Sequence, residues 1–128
     1  MNSLLAERCL GAPRPKRNEM AVGIKELFEL PARTIEDRFL TPEGEGAAML
    51  FVGDCTHGSV GGGFLYTNKD SISLGLVATI EELSTSGTTI YQPWKTSSTI
   101  GRGAHHRDAT MVEHSGHMVS EGGYDMIP

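Results

Sequence analysis

Five histidines and a run of three glycines are the residues of this 128-residue sequence that invite a chemical reading. His105 and His106 are adjacent, so on a regular element they point to different sides. His114 and His117 are three apart, a spacing that suits a helix, yet the stretch around them reads as a strand and no third ligand accompanies them. A zinc site is set aside in favour of surface or hydrogen-bonded histidine. Cys9 and Cys55 make no ligand pair and read as free thiols. Ser, His and Asp all occur, but no G-x-S-x-G nucleophile elbow does. Gly44-Glu45-Gly46 and Gly101-Arg102-Gly103 each begin a G-x-G-x-x-G turn, and neither completes it or joins a strand to a helix. The sequence carries no phosphate-cradling turn for FAD or NAD.

Gly61-Gly62-Gly63 at the head of a strand is the more unusual feature. Backbone without Cβ admits a planar ligand and leaves main-chain N–H groups free to donate; it also suits a bulge or a tight strand entry. Both readings stay open. Tyr66 is either a packing residue or a hydrogen-bond donor. Glu121-Gly122-Gly123, leading to Pro128, is either a simple turn or a loop touching a flat cofactor.

The elements that must position these residues are mostly strands. Val22, Ile24, Phe28 and Leu30 alternate with Lys25 and Glu29 and predict a half-buried strand that ends at Pro31. Thr34 is the expected cap of a short helix through Ile35 and Phe39. Glu43 to Gly46 reads as a loop. The continuous apolar run from Ala47 to Val52 predicts a strand covered on both faces. Residues 61–66, a polar turn over 67–70, and the alternation of Ile72, Leu74, Leu76, Ala78 and Ile80 with small residues predict an antiparallel hairpin. Thr110 to Val119 reads as a further strand. Residues 1–20, with Pro13 and Pro15 among basic residues, read as a connector before a domain over 21–128. Residues 93–109 show no period and look too polar for a core. The expected fold is α+β: a mainly antiparallel sheet of four or five strands with one or two short helices.

Composition narrows the function classes. The formal charge is −5, which leaves no basic field for a nucleic-acid backbone. No apolar run reaches the roughly 18 residues of a membrane-spanning helix. The first residues lack the pattern of a signal peptide, so the cytosol is the expected compartment. Glycine is one residue in eight, against a usual share of about 7%, which favours turns and close backbone approaches over long helices.

Several stretches together carry a resemblance. Ala21-Val22-Gly23-Ile24-Lys25-Glu26, Ile35 to Phe39, and Gly44 to Ala48 resemble the electron-transfer-flavoprotein:quinone oxidoreductase family, in particular its FixC-like branch. The most specific stretch runs from Gly61 to Val77, and the segment from Glu113 through Glu121-Gly122-Gly123 to Pro128 follows in the expected order. Asn2 to Ala6 is similar to the end of the family's second flavin-contacting motif, without its preceding Asp-Gly. The resemblance spans most of the chain except 93–109.

The resemblance implies an internal stretch of an FAD-dependent oxidoreductase that passes electrons from an electron-transfer flavoprotein to a quinone or another acceptor. It implies that Gly61 and Gly62, with Tyr66 beyond them, match the quinone side, and that Glu121, Gly122 and Gly123 match a loop near the flavin. The family's dinucleotide-binding segments have no counterpart in these residues. FAD is therefore the cofactor of the full-length family, with no tight binding expected of this chain alone. Peripheral contact with the inner face of a membrane is implied by quinone use. A noncatalytic ligand- or partner-binding module and a nonfunctional remnant are the alternatives.

Relatives carry an amphipathic helix where residues 93–109 stand. Shifting Pro93-Trp94-Lys95-Thr96-Ser97 by one base reads Ala, then Leu, Met or Val, then Glu, then Asp or Asn, then an apolar residue, which is the family pattern. A compensated frameshift is the resulting expectation, and the coding DNA decides it.

Overall fold

The computed structural model describes residues 4–56, 60–94 and 107–121. Five strands form one antiparallel sheet in the order β2-β3-β4-β1-β5. The strands are β1 (Met20–Glu29), β2 (Ala48–Phe51), β3 (Gly61–Thr67), β4 (Ser71–Thr79) and β5 (Thr110–Ser120). Short helices α1 (Leu4–Leu10), α2 (Ala32–Phe39) and α3 (Ile80–Ser86) accompany them, so the class is α+β as expected.

The hairpin of β3 and β4 is the centre of the fold. Asn68 closes its turn: its N–H donates to the Ser71 carbonyl at 2.7 Å, and its side-chain amide reaches the Ser71 hydroxyl at 3.1 Å. Because β4 has a partner on either side, Ile72, Leu74, Leu76 and Ala78 lose water from their edges as well as their face, and all are buried. Leu65 of β3 and Ile24 and Phe28 of β1 join them on the same face. Ile35 of α2, Leu83 of α3, Ile90 and Trp94 cover that face and complete the core.

Four local expectations change. The apolar run of β2 is an edge strand rather than a doubly covered one: Met49 and Phe51 pack on the core, while Leu50 is 82% exposed. A short apolar run has no period with which to tell these cases apart. Helix α2 is capped at Pro31, whose carbonyl accepts from Thr34 and Ile35; Thr34 lies inside the first turn, donating to that carbonyl at 2.9 Å. The alternation of β4 stops at Thr79, and Ile80 opens α3, with Glu81 and Glu82 in its first turn where the helix dipole favours negative charge. Residues 91–94 are helical, and Pro93 and Trp94 are buried, although the stretch they begin looked too polar for a core. Trp94 supplies the reason: its indole N–H donates to Glu26 Oε1 at 3.0 Å, which lets an aromatic body fill the core while its polar tip is satisfied. Residues 95–106, including His105, His106 and most of the suspected frameshift, lie outside the described residues.

Candidate functional site

The strands present two faces, and of the sequence-derived candidates Gly62 and Tyr66 fall on the one that does not carry the Leu65 core. Alternation places Gly62, Phe64 and Tyr66 of β3 on that face, with Val77, Gly75 and Ser73 opposite them in turn on β4 and Leu50 beside Phe64 on β2. Phe64 and Tyr66 stack, with ring centroids 5.8 Å apart and planes 17° from parallel. The Phe64 ring lies over Gly75, its cross-strand partner: a Cβ on Gly75 would come within 2.1 Å of the ring's far end. Both aromatic residues keep part of their surface in solvent.

Gly61 and Gly62 have a packing reason for being glycine. A Cβ on Gly61 would meet the Val77 carbonyl oxygen at 2.1 Å, and its φ of 153° disfavours other residues. A Cβ on Gly62 would meet the Phe51 carbonyl oxygen at 2.7 Å. The tight strand entry read from the sequence is therefore present. The rung geometry adds a second consequence. Thr79 N–H donates to the Val60 carbonyl at 3.1 Å, so the β3–β4 rungs fall on even residues of β3. Gly61 points its N–H and C=O to the other side, beyond the Phe51–Gly63 pair where the β2–β3 ladder ends.

The structure brings some of the candidates together. Gly61 pairs with Ala78, Ala78 with Val22, and Val22 with Met118, so Gly61 and the C-terminal end of β5 share one end of the sheet. Three strand spacings, about 14 Å, separate those edges. Glu121 follows β5 at that end, exposed, with its N–H donating to the Glu19 carbonyl at 2.8 Å. Gly122 and Gly123 lie outside the described residues. Tyr66 stands apart, five residues and about 17 Å along β3 from Gly61. Phe64 and Gly75 went unmarked in the sequence reading, though a lone glycine in a strand opposite an aromatic is a legible signal of close ring packing.

Other chemistry is sparse. Among the described residues no group of three or more His, Cys, Asp or Glu could hold a metal ion; neither Cys9 nor Cys55 is in a disulfide, and the Cys55 thiol lies 3.5 Å from the Phe51 carbonyl oxygen. His114 and His117, on a strand, fall on opposite faces. The Arg14 guanidinium pKa is raised above its ordinary value by a hydrogen bond from Nε to Glu7 at 2.7 Å and by that carboxylate's charge. Both strand-to-helix junctions lack what a dinucleotide needs. Leu30-Pro31 joins β1 to α2 and Thr79 leads directly into α3, without glycines to admit a pyrophosphate. The described residues do not fit the phosphate half of FAD. No described helix is long and apolar enough to cross a membrane.

No family model matches the chain. Individual relatives do. Across its whole length the chain is 42% identical to Protein FixC of Escherichia coli and 42% identical to Protein FixC of Salmonella typhi. It is 40% identical, again over its whole length, to the probable electron transfer flavoprotein-quinone oxidoreductase YdiS of Escherichia coli. The chain belongs to the FixC-like electron-transfer-flavoprotein:quinone oxidoreductase family. It spans 30% of the length of these relatives.

Proposed function

We propose that this chain forms the acceptor-side sheet of an FAD-dependent electron-transfer oxidoreductase, which takes electrons from an electron-transfer flavoprotein and passes them to a quinone or similar planar acceptor. Alone, it does not turn over. The observation that carries the reading is the stacked pair Phe64 and Tyr66, partly open on the face opposite the one that Ile35, Leu83 and Trp94 cover. A flat, partly apolar acceptor matches such a surface, since aromatic rings prefer offset stacking. Gly61 and Gly62 are assigned the acceptor's polar end: the Gly61 N–H lies beyond the last rung of its ladder, oriented to donate to a quinone oxygen. Tyr66 lines the same face farther along, where it contributes ring surface. Glu121, Gly122 and Gly123 are assigned to the flavin side at the shared end of the sheet.

An NMR titration of the nitrogen-15- and carbon-13-labelled chain with a short-tailed ubiquinone analogue tests the assignment. The amides of Gly61 and Gly62 and the ring resonances of Phe64 and Tyr66 are expected to shift together. Shifts confined to other residues, or none at saturating quinone, overturn it. Stoichiometric FAD retained by the purified chain, visible as flavin absorbance, overturns the division of labour.

A further inference from the structure

The sheet has two edges of unequal kind. β2 offers four residues, whereas β5 runs for eleven, paired to β1 on one side and exposed along its whole length. A long exposed edge is a template for another strand. The rungs decide which backbone groups it offers. Glu121 N–H donates to the Glu19 carbonyl, so the rungs to β1 fall on Val119, His117, Ser115 and Glu113. His114, Gly116 and Met118 turn their N–H and C=O groups outward.

The residues along this edge are nearly complementary to their own reversal. Set antiparallel about Ser115, the strand places Glu113 opposite His117, and the bulge at Val112, where the register to β1 shifts between Leu27 and Phe28, ends the regular pairing just beyond them. His114 then meets Gly116, two outward-facing residues, so the backbone rungs close. Glu113 and His117 fall at the intervening non-hydrogen-bonded position, where cross-strand side chains come closest. There an imidazole N–H can donate to the carboxylate, and two-fold symmetry makes the pair twice. Other registers that satisfy the backbone lose this match. Centring on Gly116 sets Glu113 against Val119, and centring on His114 sets two histidines face to face.

We propose that β5 pairs antiparallel with β5 of a second copy of this chain, centred on Ser115 and held in register by reciprocal Glu113–His117 contacts. The result is one continuous ten-stranded sheet with both acceptor-side faces on the same surface.

Sedimentation velocity of the full chain over a dilution series tests this. A reversible dimer of about twice the 13.8 kDa chain mass is expected. His117→Glu, at an exposed position, is expected to weaken dimerisation by about tenfold or more, since both pairs become like-charged. The double variant Glu113→Lys/His117→Glu is expected to restore it. Gly116→Pro removes an outward N–H that β1 does not use and is expected to abolish the dimer with the far-ultraviolet circular dichroism unchanged. A monomer throughout the series gives the edge to some other occupant and overturns the proposal. So does a dimer indifferent to His117→Glu, a double variant that fails to recover, or one that survives Gly116→Pro.

Discussion

One sheet presents two faces built from the same strands, and they are made for different things. The covered face is a jigsaw of Leu65, Ile72, Leu74 and Leu76, closed from above by Ile35, Leu83 and Trp94. The other carries glycine, serine and two partly exposed aromatics, with Leu50 standing 82% exposed at its margin. Apolar surface without cover is a poor use of sequence in a lone domain and an ordinary one where something flat comes to rest. On the proposed reading, the core-forming and the acceptor-facing residues lie on opposite sides of one hairpin, alternating residue by residue.

Substitutions on each side should break or sharpen that contrast, each followed by urea denaturation. The largest effect is expected at Trp94→Ala, about 3–5 kcal/mol, because it empties part of the core and strands the Glu26 carboxylate there. Leu76→Ala follows at about 2–5 kcal/mol, since that side chain is wholly buried. Gly75→Ala should cost roughly 1–3 kcal/mol, because the added methyl expels the Phe64 ring and crowds the Ile24 carbonyl oxygen. Its near-ultraviolet spectrum should change with the loss of the Phe64–Tyr66 stack. Leu50→Ala, the same chemical change as at Leu76, should stay within about 0.5 kcal/mol. If Leu50 and Leu76 prove equally costly, the two-faced description fails. The raised Arg14 pKa moves away from neutrality, so its exposed pair with Glu7 introduces no pH dependence in the working range, and Arg14→Gln should leave the pH profile of unfolding unchanged.

Much of the fold was legible because its signals are local. The polar turn at 67–70 and the period of two on either side identify the hairpin without any knowledge of what lies across from it. The strand up to Pro31 was equally plain, since proline ends the ladder. The errors came where a partner decides. An apolar run reads alike in a central strand and in the edge strand β2. Trp94 looked stranded among polar residues until Glu26, sixty-eight positions away, supplied an acceptor for its indole. For the candidate site, the glycine run was visible, but its neighbours were not: the carbonyls of Phe51 and Val77 that crowd Gly62 and Gly61 come from two other strands. Tyr66 was picked out without Phe64, its stacking partner two residues away.

Residue order alone determined the class of the fold, the hairpin and the family, because hydrophobic period, turn chemistry and motif spacing are properties of neighbours along the chain. Only the tertiary structure decided which strands stand at the edges, which face is sealed and which glycines are crowded. Those outcomes depend on backbone and side chains brought together from distant positions, and a carbonyl oxygen on another strand leaves no trace in the letters around the residue it constrains.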